Sequence, residues 1–212
     1  MSYYMGNEEI EIKLDLVNEG NYRCLIDHFG VGEKTRLQEN YFYDSPDRVL
    51  AACGWALRVR IEENTAYLTI KGHASGTNDG VTTRLEIEET VLYSLAEEFV
   101  SKGIIISQLP DKIRATLADL PDNLCLTQLV FFRNYRTTIP FTDCGLSLEI
   151  EIDRTEFADG TVDYEIEVEL PHQDVAKGIL SGIHRLMKTL DIPIIPQKEG
   201  KLSRALKRKP NT

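Results

Sequence analysis

No stretch of this chain is apolar for long enough to cross a bilayer, and its opening residues, "MSYYMGNEE", lack the basic and apolar regions of a secretory leader. A membrane partner is therefore not expected. The four cysteines, Cys24, Cys53, Cys125 and Cys144, lie far apart with no CxxC pair. That spacing argues against a thiolate metal cluster and for reduced thiols in a cytoplasmic protein. The four histidines, His28, His73, His172 and His184, are scattered and offer no ligand spacing. Basic charge is in deficit, with 24 Lys and Arg against 34 Asp and Glu, a net charge of −10 and a pI near 5.0. A nucleic-acid partner is not expected, since such binders are usually basic. The stretch "KLSRALKRKP" is a local basic exception. The single tryptophan, Trp55, reads as packing at a strand start. Repeats, low-complexity blocks and long linkers are also missing.

What remains is an ordinary globular composition, 42% hydrophobic over 212 residues. It suits one domain over 1–212, ending in a helix and a basic tail. Four segments carry helical signals. "EGNYRCLIDHFG" stops at Gly30, and "SLAEEFVSKG" opens with Ser94 and Glu97 in a capping-box pattern. "DKIRATLADL" lies between Pro110 and Pro121. "DVAKGILSGIHRLMKTLDI" has Asp174 as its expected N-cap. "GHASGTNDGV" reads as a long hairpin connection and Asp159-Gly160 as a hairpin turn.

The strands carry the information about function. In "EEIEIKLDL", Ile10, Ile12, Leu14 and Leu16 alternate with Glu9, Glu11, Lys13 and Asp15. Period-two alternation predicts a strand with one apolar face. The same pattern recurs in "ALRVRI", "YLTIKG", "TRLEIEE", "FRNYRTTI", "LSLEIEID" and "YEIEVEL". The polar faces are segregated by sign. Glu149, Glu151 and Asp153, then Glu165, Glu167 and Glu169, continue the acidic series, whereas Arg58, Arg60 and Lys71 are basic. Two architectures accommodate this. One is an open antiparallel sheet with a solvated charged face. The other is α+β, a closed antiparallel barrel of about eight strands with helices packed outside and a charged tunnel within. Clustered like charges repel by roughly 4 kcal/mol per pair at an effective dielectric near 20. A lined tunnel therefore asks for a divalent cation at its acids and a polyanion at its bases.

"EIEIK" resembles the ExExK signature of the CYTH superfamily, the triphosphate tunnel metalloenzymes. "ENYFYDSP", "GWALRVR", "LTIKG", "TRLEIEE", "DYEIEVEL" and "EGKLSRAL" resemble further motifs of that family, in family order. The resemblance implies the tunnel barrel. It also implies metal-dependent hydrolysis of a small-molecule triphosphate, most naturally tripolyphosphate to pyrophosphate and phosphate, with Mg²⁺ or Mn²⁺ as cofactor. A class IV adenylyl cyclase and a non-catalytic polyphosphate- or nucleotide-binding module are the alternatives. The implied catalytic residues are Glu9, Glu11 and Lys13, and the implied metal ligands are Glu9, Glu11, Glu165 and Glu167. The implied substrate clamp is Lys13, Arg58, Arg60, Lys71, Arg84, Arg136 and Lys201. Glu151 and Asp153, then Glu86 and Glu88, come next as metal ligands or instead orient the basic residues, and Glu149 and Glu169 are expected to face solvent near strand ends.

The chain departs from the family pattern in two places. Asn134 stands where Lys is frequent, so only Arg136 carries over and Arg133 is expected to point outward. Gly200 stands where Ser is usual. The resemblance implies that the terminal segment is a lid or plug that brings Lys201 to substrate, with Lys207 and Arg208 as bystanders; the alternative is a solvated basic tail. Neutralising Glu9 or Glu11 is expected to relieve repulsion among crowded acids.

Overall fold

The alternating segments become strands in the computed structural model, which describes residues 7–30, 35–76 and 79–208. Strands β1 (Asn7–Asp15), β2 (Arg36–Asp44), β3 (Ala56–Glu62), β4 (Thr65–Lys71), β5 (Ser75–Gly76) and β6 (Val81–Val91) fill the first half. Strands β7 (Ile104–Ile105), β8 (Cys125–Asp143), β9 (Leu146–Phe157), β10 (Val162–Leu170) and β11 (Ile195–Pro196) fill the second. Eight of them form an antiparallel ring in the order β1-β10-β9-β8-β2-β3-β4-β6. The ring closes where β6 pairs with β1, with Glu9 opposite Arg84 and Ile12 opposite Val81. The acidic strands β1, β10 and β9 are thus neighbours, and the basic strands β3 and β4 are neighbours elsewhere on the ring.

The apolar faces point outward because helices cover them. Those helices are α1 (Glu19–Phe29), α2 (Val49–Ala52), α3 (Tyr93–Lys102), α4 (Asp111–Thr116), α5 (Ala176–Thr189) and α6 (Lys201–Lys207). Ile10, Ile12 and Leu14 of β1 pack with Ile152, Val168, Leu25 of α1 and Ile179, Ile183 and Met187 of α5. A second cluster joins Leu57, Val59, Leu68 and Ile70 to Phe99 of α3 and Ile113 of α4. Each fully buried aliphatic side chain is worth about 1.5–3 kcal/mol, so these clusters dictate which face turns out. The alternating charged residues are left to line the interior.

The helix boundaries show which local signals were used. Asn18 caps α1, its Oδ1 accepting from the Asn21 N–H at 3.0 Å, and Gly30 ends it at φ 60°. The Ser94 capping pattern is not used: α3 starts at Tyr93, and Leu92 at its N-cap has no side-chain bond to give. Asp174 falls in a 3₁₀ turn, Gln173–Val175, and α5 begins after it at Ala176. The segment Gly72–Val81 carries the short strand β5 against β6, and its residues 77–78 lie outside the described ones. Asp159-Gly160 makes the hairpin turn as expected, with Asp159 Oδ1 accepting from the Thr161 N–H at 3.0 Å. At the end of β2, buried Asp44 accepts from the Leu50 N–H at 2.8 Å and the Ala51 N–H at 3.1 Å, which fastens α2 to the strand.

Helix α6 is not a loose tail. Its Ala205, with Leu202 and Leu206, packs on Phe42, Val130, Phe132 and Phe157. The apolar contact gives a seven-residue helix the tertiary support that such a length needs.

Candidate active site in the barrel interior

The charged faces of β1, β3, β4, β6, β8, β9 and β10, with the start of α6, enclose a cavity of about 280 Å³. Glu9, Glu11, Lys13, Arg58, Arg60, Lys71, Arg84, Glu86, Glu88, Arg136, Glu151, Glu167 and Lys201 all line it. Glu165 and Asp153 are not among the lining residues; they are fully buried beside it.

The backbone of β1 fixes the first group. Lys13 donates its N–H to Gly80 O, and Gly80, at φ 86°, lies so close that a Cβ would meet Lys13 O at 2.5 Å. Lys13 Nζ lies 3.0 Å from Glu11 Oε1 and 3.0 Å from Glu167 Oε1, so one ammonium bridges β1 and β10. Burial opposes its charge, yet Glu167 and Glu11 hold the Lys13 pKa above its usual value. Arg84 donates Nε to Glu9 at 2.6 Å and Nη2 to Glu11 at 2.9 Å. Lys71 Nζ lies 3.1 Å from Glu9 and 2.5 Å from Glu86. Burial, then Arg58 and Arg84, push the Lys71 pKa down to about 8.

Arg136 is saturated. Its Nε and Nη2 grip Asp153 at 2.8 and 2.6 Å, Nη2 reaches Glu167 at 2.5 Å, and Nη1 touches Glu151. Lys201 Nζ stands 2.8 Å from Asp153 and 3.1 Å from Glu167, and also touches Glu165. Oxygens of Asp153, Glu165 and Glu167 lie within 4.8 Å of one another, a set able to hold a cation, and the Lys201 ammonium already serves it. Glu165 is also held by Arg204, whose other nitrogen meets Asp163 at 2.7 Å. The expected metal quartet is thus divided. Glu9, Glu11 and Glu167 face the cavity, while Glu165 belongs to the anchorage of α6.

Arg58 and Arg60 differ from these. Arg58 Nη2 donates to Thr69 Oγ1 at 3.1 Å and Glu88 Oε2 at 3.3 Å, and its buried Nε has no partner. Burial and the charge of Arg60 lower its pKa. Arg60 donates only to the neutral Asn40 Oδ1, at 3.3 Å, and makes no ion pair among the described residues.

Lys201 lines the cavity from the first position of a packed helix, with three carboxylates around its ammonium. Arg208, expected as a bystander, meets Asp163 at 2.9 Å and lies 4.4 Å over the Phe157 ring. Lys207, itself exposed, pairs only with the half-buried Glu199. Lys201→Ala is therefore expected to cost about 2 kcal/mol of stability, the scale of a hydrogen bond to a charged group. Lys207→Ala should change almost nothing. Urea unfolding of the two variants checks this; equal midpoints would refute the anchorage.

Sequence reasoning missed Arg204, although the arginine of "EGKLSRAL" was its signal, and it gave no role to Asn40 or Thr69. Arg133 does point outward, pairing with Glu39 at 3.1 Å. Glu169, read as a solvent-facing acid, is an exposed carboxylate on the cavity wall with no ion-pair partner among the described residues. Burial and the charges of Glu9 and Glu86 raise its pKa. Cavity carboxylates are hard oxygen donors of the kind that suits Mg²⁺ or Mn²⁺, and of them Glu9, Glu11 and Glu167 each already meet at least two cations.

Glu151 titrates in an informative range. Burial chiefly, with Asp153 and Glu167, raises its pKa from 4.5 to about 7 despite Arg136. The folded protein then binds more protons than the unfolded chain between these values. The resulting stabilisation is full below pH 4.5 and is lost as pH rises through about 7. Melting temperature should fall across that window more in the wild type than in Glu151→Gln. Parallel pH profiles would contradict it.

No helix among the described residues is long and apolar enough to cross a membrane. No curated protein matches the chain. Among solved structures, HpAC1 of Hippeastrum, an adenylyl cyclase candidate with a dominant triphosphatase activity, is 27% identical, with a TM-score of 0.82 over 93% of this chain and 94% of that one. An adenylate cyclase candidate from Bacillus halodurans, 24% identical, has the same fold, with a TM-score of 0.73 over 93% of this chain and 97% of that one. PH1819 of Pyrococcus horikoshii, 19% identical, follows at 0.58 over 94% and 99%. The model of the CYTH domain matches residues 7–193, and the chain belongs to that family.

Proposed function

We propose that the protein is a metal-dependent phosphoric-anhydride hydrolase that cuts inorganic tripolyphosphate to pyrophosphate and phosphate. The observation that carries this reading is the pair Arg58 and Arg60 on the cavity wall: Arg58 gives carboxylates only its Nη2 and leaves its buried Nε without a partner, and Arg60 donates only to the neutral Asn40. Adjacent cations call for a polyanion, and Arg matches phosphoryl oxygens in a bidentate fashion.

In this reading Arg58, Arg60 and Lys71 grip the chain, with Lys13, Arg84, Arg136 and Lys201 setting the surrounding field. Arg58 and Arg60 also stabilise the charge that builds on the leaving diphosphate. Lys13 holds Glu11 and Glu167 in register. Glu9, Glu11 and Glu167 would hold Mg²⁺ or Mn²⁺, which supplies charge neutralisation and an acidified water when bound. The free cysteines Cys53, Cys125 and Cys144 are exposed, which supports a reducing, cytoplasmic setting.

The test is product analysis with tripolyphosphate, ATP and thiamine triphosphate, each with Mg²⁺ and Mn²⁺. Phosphate and pyrophosphate from tripolyphosphate are expected. Cyclic AMP from ATP would make it a cyclase, and binding without any product would make it a binding module.

A further inference from the structure

We propose that Thr69 is a positioning residue, which holds the Arg58 guanidinium in the orientation that receives an anion. This inference rests on the triphosphate reading of the cavity. Thr69 lies on β4 directly opposite Arg58 on β3 and is wholly buried. A buried hydroxyl needs partners, and this one has two: it donates to Glu88 Oε2 at 2.8 Å and accepts from Arg58 Nη2 at 3.1 Å. Arg58 Nη2 also reaches Glu88 Oε2, at 3.3 Å, so hydroxyl, carboxylate and guanidinium form a closed triangle.

The triangle matters because of what it does not use. A guanidinium carries five donors in a rigid plane, so fixing one nitrogen fixes the whole fork. Arg136 has its fork closed on Asp153. Arg58 has only Nη2 pinned, and its Nε remains without a partner although it is buried. An unmet N–H in a buried cationic group is costly, and an incoming phosphoryl oxygen is the partner that this cavity chemistry offers. Glu88 alone would not fix the plane, because its side chain is about a third exposed and its contact to Arg58 is the longer of the two. The Thr69 hydroxyl, buried on a central strand, supplies the rigid reference. Preorganisation of this kind lowers the ordering cost of binding.

Affinity for tripolyphosphate, measured by calorimetry in the presence of a chelator, reads this out without turnover. Thr69→Val keeps the shape and removes both hydrogen bonds; it should weaken binding about tenfold. Thr69→Ser restores the hydroxyl and should bind within about twofold of wild type. Thr69→Ala, which cannot overpack, replaces Thr69→Val if the latter does not fold. In an Arg58→Ala background, Thr69→Val should add no further loss, since its effect passes through that arginine. Wild-type affinity in Thr69→Val, or an equal loss with Arg58 already removed, would overturn the proposal. A wild-type protein that binds tripolyphosphate but never cleaves it would overturn the hydrolase reading alone and leave this test readable. A wild-type protein that does not bind it, either with chelator or with Mg²⁺ or Mn²⁺ restored, would overturn both.

Discussion

Arg60→Ala should lower kcat/KM for tripolyphosphate by about a hundredfold, roughly 2.7 kcal/mol of transition-state stabilisation, and leave the fold as stable as before. Those two outcomes together follow from the pairing of charges inside the barrel. Most cavity cations already serve a carboxylate. Arg84 serves Glu9 and Glu11, Lys13 serves Glu11 and Glu167, and Arg136 serves Asp153, Glu151 and Glu167. Truncating any of these takes a cation from a cavity carboxylate and confuses binding with folding. Arg60 contacts only the Asn40 amide, so its loss strands no charge. It also removes the repulsion that Arg60 exerts on Arg58. A polyanion loses a direct partner. Arg60→Lys, which keeps the charge and loses the fork, should fall between wild type and alanine. Arg133→Ala, on the outer face of β8, should leave kcat/KM unchanged. Activity of Arg60→Ala within about threefold of wild type would remove Arg60 from the substrate clamp.

The barrel itself was legible because alternation is a local property. Ile10, Ile12 and Leu14 mark one face of β1 without reference to any other strand, and the same holds for Leu57 and Val59 or Ile150 and Ile152. Segregation of sign was legible for the same reason, and it correctly placed the acidic strands β1, β9 and β10 together. The partner of each charge was not. Whether Glu165 meets Glu11 or Arg204 depends on strand register and tilt, which a single strand does not encode. Glu165 falls opposite Asp15 on β1 and Asp153 on β9, two positions along the strand from Glu167, and that offset delivers it to α6 rather than to the cavity. The fate of α6 was hidden in the same way. "KLSRALK" reads as a basic tail because its charges dominate, yet Ala205 and Leu202 find the aromatic surface of Phe42, Phe132 and Phe157. Those phenylalanines sit in segments far away in sequence.

Glu11→Gln should abolish metal-dependent turnover, by about a thousandfold or more, and should also lower stability. The second half reverses what the sequence suggested. Counted along β1, β9 and β10, Glu11 is one of many crowded acids, and neutralising it would relieve repulsion. In the folded barrel it lies between two cations, Lys13 Nζ at 3.0 Å and Arg84 Nη2 at 2.9 Å, and accepts from the Thr82 hydroxyl at 3.1 Å. It is 6% exposed, so water replaces little of what is lost. A neutral amide there weakens charge-assisted contacts worth about 1.5–3 kcal/mol each, although Lys13 keeps Glu167 and Arg84 keeps Glu9. The net loss should therefore be about 2 kcal/mol. Turnover falls for a different reason: Gln offers a neutral oxygen where the site calls for a charged one, so activity should not return at saturating Mg²⁺ if the carboxylate also orients the attacking water. Partial recovery at high Mg²⁺ would confine its role to metal affinity. Near-normal activity at limiting Mg²⁺ would remove Glu11 from the metal-holding set. A higher melting temperature than wild type would mean that repulsion among the acids outweighs the Lys13 and Arg84 pairs.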